Sequence, residues 1–88
     1  MMVNLIAMYI NNMSIEDFNR MALEQGINLS NDELEFSYNF IKDNWFDVFN
    51  DYDSFDFSKY KNKYSDENYK KICTLIDDMY SKYGHLVK

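Results

Sequence analysis

An all-α fold, a single small bundle of four or five helices around a central aromatic-rich helix, is predicted by three features of this 88-residue chain. There is no proline, and the two glycines, Gly26 and Gly84, fall where helices should stop. Ser14, Ser30 and Ser65 each precede acids, the composition of a helix N-cap and its first turn. Between these markers, apolar residues recur at intervals of three and four, the period of one helix face.

The first helix is predicted over residues 3–13, where Ile6, Tyr9, Ile10 and Met13 share a face. Ser14 then caps a second helix running to about Gln25, with Asp17 at the third position. This helix buries Ile15, Phe18, Met21 and Ala22 and ends on Gly26 as its left-handed terminal residue. After Ile27 and Leu29, the run Ser30-Asn31-Asp32-Glu33 matches a capping box, in which the serine and glutamate each satisfy the other's free amide. A long third helix follows, with Leu34, Tyr38, Ile41, Trp45, Val48 and Tyr52 as its apolar seam. Phe36, Phe40, Phe46 and Phe49 widen that surface, so the helix is expected at the centre of the bundle, with Trp45 in or near the core.

Residues 53–64 have two readings. Phe57, Tyr60 and Tyr64 fit a helical face, whereas Lys59, Lys61 and Lys63 alternate as on an exposed edge strand; a short helix is the favoured reading. Ser65 opens the last helix, where Tyr69, Ile72, Ile76, Met79 and Tyr83 form the apolar face before Gly84. One domain over residues 1–84 with a tail at 85–88 is therefore expected. The cap spacings differ too much to define a repeat.

A chain this short buries only about 60–65% of its unfolded surface. Seven Phe, eight Tyr, one Trp and six Met offset the small size with large apolar side chains. Cys73 is the single cysteine, which excludes an internal disulfide framework and a cysteine-based zinc site. The opening MMVNLIAMYINNM lacks a basic leader and is too short for a membrane span, so a soluble cytoplasmic protein is expected. A net charge of −6 disfavours direct binding to duplex nucleic acid or an anionic membrane. The charge is also segregated: residues 32–57 hold eight acids against Lys42, net −7, and residues 58–71 carry net +3.

The run from Ile10 to Asp51 resembles the small YqfT-like proteins of low-GC Gram-positive bacteria, with matching pieces at Ser14 to Ala22, Ile27-Asn28-Leu29-Ser30 and Asn44 to Asp51. The resemblance implies an all-α fold and brings no catalytic residues. The chain departs from that pattern at Trp45-Phe46, where aromatic residues and a dense acid cluster replace a less aromatic segment.

Few residues point to chemistry. Cys73 sits beside Ile72 and Ile76 as a small apolar filler, His85 lies in the tail, and no serine or cysteine has a histidine partner with local support. Two isolated glycines form no phosphate loop. Asp51-x-Asp53-x-x-Asp56 departs from a calcium loop at three positions, with Phe55, Asp56 and Asn62 where a ligand, a glycine and a glutamate belong. No catalytic residue, metal or cofactor is expected, and the chain reads as non-enzymatic.

The outstanding pattern is acidic. Asp43, Asp47 and Asp51 follow one another at four-residue steps, so adjacent carboxylates share a helix face and repel by roughly 0.2–0.5 kcal/mol per pair. Extended to Glu35, Asp53 and Asp56, these residues form the expected partner-binding surface. Neighbours rise about 6 Å along the axis, on the same few-Ångström scale as the phosphates of a duplex. The expected partner is a basic nucleic-acid-binding protein whose channel the acidic face would occupy, in the manner of anti-CRISPR or anti-restriction inhibitors. Competing readings are a housekeeping helical protein, a homodimer built on surplus aromatic surface, and weak single-strand binding through Lys59–Tyr64.

Overall fold

Four α-helices and two 3₁₀ helices make up the chain in a computed structural model, which describes residues 2–83 and the side chains of residues 7–82. They are α1 (Met2–Asn12), α2 (Ile15–Glu24), α3 (Asn31–Asn50), 3₁₀ helices at Tyr52–Ser54 and Phe57–Lys63, and α4 (Asp66–Tyr83), with no strand among the described residues. Gly84, His85 and the tail 85–88 lie outside the described residues, as do the side chains of Ile6 and Tyr83.

The caps form as their residue types dictate. At Ser14 and Ser30 the serine hydroxyl accepts from the amide of Asp17 and Glu33, and each of these carboxylates accepts from its serine's amide. The α2 terminus closes as a Schellman motif, with the Gly26 amide donating to the Leu23 carbonyl (3.0 Å) and the Ile27 amide to the Ala22 carbonyl (2.9 Å). Gly26 holds φ +79°, a region that costs a residue with a Cβ roughly 1–2 kcal/mol.

α3 is central, as predicted. It packs against α1 and α2 on one side and against the 3₁₀ segments on another. The α1–α2 hairpin is tied down by the Tyr38 hydroxyl donating to the Met13 carbonyl (2.6 Å) and Lys42 Nζ donating to the Asn11 carbonyl (2.8 Å). Phe18, Phe49 and Ile72 form the heart of the core, with Trp45 buried beside them.

The buried stripe of α3 differs from the predicted seam. It comprises Glu33, Ser37, Phe40, Ile41, Trp45, Val48 and Phe49, while Leu34 and Tyr38 are half-buried. Phe46 remains 43% exposed with its ring edge-on to Trp45, so it does not widen the packed face. α3 also stops at Asn50, before Tyr52, because Asp51 leaves the helical region at φ −140°, ψ 58°. Tyr52 turns instead to stack on Tyr80, with ring centroids 4.1 Å apart and planes at 12°.

Residues 57–63 settle into a 3₁₀ helix, whose three-residue turn places Phe57 and Tyr60 on one side. Their rings meet Phe40 at 5.4 and 5.0 Å, and Phe57 also stacks on Tyr69 at 6.0 Å. Lys59, Lys61 and Lys63 lie over Tyr60, Tyr69 and Phe36 at 5.3–5.8 Å. Cation–aromatic contact explains the lysine alternation without a strand.

Candidate functional site

Each acid of the predicted surface is exposed, but the acids do not form one straight row. Glu35 stands in the second turn of α3, two helical turns before Asp43. Asp43 and Asp47 occupy the solvent face of its C-terminal half. Asp51 is the C-cap residue, its amide still donating to the Asp47 carbonyl (3.3 Å). Asp53 follows in the first 3₁₀ helix, and Asp56 caps the second.

Asp56 already has a structural task. Its Oδ1 accepts from the Ser58 hydroxyl (2.6 Å) and amide (3.0 Å), which holds its carboxyl below the ordinary value. The remaining members make no such bonds among the described residues. Asp47 and Asp51 also stand at the negative end of the α3 dipole, where anions are disfavoured by about 0.3–1 kcal/mol. No basic residue occupies that last turn to compensate.

Among the described residues no ion pair closes on this surface. Lys42, the single cation of the acidic segment, reaches back to the α1 carbonyl of Asn11 and lies 5.4 Å from the Tyr38 ring centroid. The ion pairs among the described residues are Arg20–Asp17 at 2.8 Å and Lys71–Glu67 at 3.4 Å, neither of which involves the predicted surface. Lys59 lines an open groove of about 270 Å³ together with Asp47, Asp51, Phe55 and Tyr60, and after the two Ser58 bonds its charge helps to lower the Asp56 carboxyl. Lys59 lies over Tyr60.

Two acids have roles that composition did not assign. The Tyr52 hydroxyl donates to Asp77 Oδ1 (3.2 Å), which places an α4 carboxylate beside the turn holding Asp51 and Asp53. Burial and the Asp77 charge push the Tyr52 hydroxyl up to about 12. Glu33, only 7% exposed, is more than a cap. Besides the Ser30 amide (2.9 Å), it accepts from the Ser65 amide (2.8 Å) and Asn68 Nδ2 (2.7 Å), joining the start of α3 to the start of α4. Burial pushes its carboxyl up, but the donors from Ser30, Ser65 and Asn68 outweigh that and hold it below the ordinary value. A capping-box spacing reveals the first of these bonds; the others depend on which helix lies alongside.

Ser37 continues this polar seam. Its hydroxyl donates to the Glu33 carbonyl (2.7 Å) and lies 2.5 Å from the Tyr64 hydroxyl, which therefore donates to it. Burial pushes the Tyr64 hydroxyl up to about 12. Cys73 is half-buried, and burial raises its thiol against a weaker opposing hydrogen bond from Tyr69. Among the described residues no three His, Cys, Asp or Glu side chains gather closely enough to hold a metal ion, and no helix is long and apolar enough to cross a membrane.

No family model, curated protein or solved structure matches the chain.

Proposed function

We propose that this is a non-enzymatic inhibitor whose acidic surface, centred on Asp43, Asp47 and Asp51 and extended by Glu35, Asp53 and Asp56, occupies the basic nucleic-acid channel of a larger protein. The observation that carries this reading is the state of those carboxylates. Asp43, Asp47 and Asp51 are exposed, while Lys42 is engaged at the end of α1. Mutual repulsion and the helix dipole both oppose this arrangement, and a small domain has little stability to spare. A cationic partner surface relieves both penalties on binding. Complementary charge would also speed the encounter and make it sensitive to salt. By analogy with known strategies, the target is of CRISPR or restriction type.

The other readings have less support. The lysines of residues 59–63 rest on the protein's own rings, which occupies faces that a stacking platform would offer to bases. Homodimerisation through aromatic surplus has Phe46 as its main exposed contribution from α3.

The test is an affinity capture from bacterial lysate with the wild-type chain and an Asp43→Asn, Asp47→Asn, Asp51→Asn variant. The wild type should retain cationic nucleic-acid-binding proteins, and retention should weaken at least tenfold in the variant. Loss of two like-charge pairs should stabilise that variant by about 0.4–1 kcal/mol in urea denaturation. Unchanged capture by a folded variant would remove the acidic row from the interface.

A further inference from the structure

Resting on the reading of the acidic face as the binding surface, we infer that the groove between the C-terminal half of α3 and the second 3₁₀ helix seats one arginine side chain of the partner, which displaces the chain's own Lys59 from the Tyr60 ring. The groove, about 270 Å³, is lined by Asn44, Asp47, Asp51, Phe55, Lys59 and Tyr60. The fold already holds a cation in it. Lys59 Nζ lies 5.3 Å from the Tyr60 ring centroid, yet forms an ion pair with neither Asp47 nor Asp51.

Tyr60 is a fixed platform, with the rings of Phe36, Phe40 and Phe57 at 5.5, 5.0 and 5.3 Å between centroids. On the α3 wall, Asn44 donates its Nδ2 to the Phe40 carbonyl (3.1 Å), which leaves its Oδ1 as an acceptor. Together with the Asp47 and Asp51 carboxylates, that wall offers acceptors where the other offers an aromatic face. Their spacing selects guanidinium over ammonium. Asp47 and Asp51 stand one turn apart, about 6 Å along the axis. A planar fork of five donors spans both carboxylates while its face rests on a ring. A compact ammonium, as Lys59 shows, takes the ring and leaves the carboxylates without an ion pair. Asp43, on the same helix, does not line the groove and serves as the control for charge alone.

Acetylated Gly-Arg-Gly amide and its Gly-Lys-Gly counterpart, of equal charge, are the probes, titrated into the full chain and followed by amide NMR. The arginine peptide should saturably shift the Asn44 side-chain amide and the Tyr60 backbone amide, and bind about fivefold tighter than the lysine peptide. Tyr60→Leu should erase that preference and Tyr60→Phe should keep it. Lys59→Gln should tighten arginine binding about fivefold, whereas Lys61→Gln, the same change of charge over Tyr69, should alter it less than about twofold. Asp51→Asn should weaken it more than Asp43→Asn. The proposal is overturned if the two peptides bind equally, if neither Asn44 nor Tyr60 shifts by about 10 mM peptide, or if the two lysine variants act alike. The inhibitor reading fails separately. Arginine preference with no partner captured from lysate supports the groove and removes the channel, whereas duplex displacement without arginine preference removes the groove and leaves the acidic face.

Discussion

Phe49→Ala should cost about 3–5 kcal/mol, a loss comparable to the whole stability of a domain this small. Phe49 is 1% exposed, with its ring against Trp45 and Tyr80, so removing it leaves a cavity where α3 and α4 meet. Phe46, three residues earlier on the same helix, supplies the control. It is 43% exposed, and its truncation should cost less than about 1 kcal/mol. Urea denaturation of the two variants reads the difference directly. Equal losses would mean that α3 presents a different face to the core.

Glu33→Ala should be the next most damaging change, at about 2–4 kcal/mol. The substitution strips the acceptor from the Ser30 amide, the Ser65 amide and Asn68 Nδ2 together, and donors left unpaired in a buried place cost about 1–3 kcal/mol each before water compensates. The expected fall in melting temperature is on the order of 10–20 °C for a domain of this size. Glu33→Gln keeps one acceptor but aims an amide N–H₂ at the remaining donors, so it should lose less than Glu33→Ala. The acid dependence follows from the same bonds. Folding holds the Glu33 carboxyl below its ordinary value of 4.5, so its contribution is fully present above that value and is lost as pH falls through the lower, folded value. Comparing wild type with Glu33→Gln between about pH 7 and pH 2 should show the two stabilities converging toward the acid end. A constant gap across that range would mean that the ionised carboxylate is not what joins the two helices.

The local chemistry of the chain was largely readable in advance, because caps and stops depend on residues within one helical turn. Ser14 with Asp17, Ser30 with Glu33, and Gly26 all perform the roles their positions imply. Three features were not readable, each for a physical reason. Apolar periodicity carries no sign of the buried polar stripe of Glu33 and Ser37, since both are buried through partners 27 to 35 residues away. The 3₁₀ helix at Phe57–Lys63 has a three-residue turn, which a 3.6-residue pattern and a two-residue alternation both imitate over seven residues. The break at Asp51 required knowing that Tyr52 finds a ring, Tyr80, on another helix.

The same division holds at the candidate site. Helical spacing was enough to place Asp43 and Asp47 on the solvent face of α3. The engagement of Lys42 at the end of α1 was not visible, since it depends on the hairpin folding back against α3. That contact gives the acidic surface its character: the cation adjacent to Asp43 is taken up by the fold, and Asp43, Asp47 and Asp51 face water. Asp77 joins the same neighbourhood through Tyr52, which makes Asp77→Asn a natural companion to substitutions on α3.

Competition with DNA on a partner captured by the wild-type chain examines the proposed role most directly. Anisotropy of a fluorescent duplex bound to that partner should fall to the free value as the wild-type chain is added. The variant with Asn at 43, 47 and 51 should need at least tenfold more protein for the same effect. A ternary complex, with the duplex still bound while the chain saturates its partner, would contradict occupation of the nucleic-acid channel.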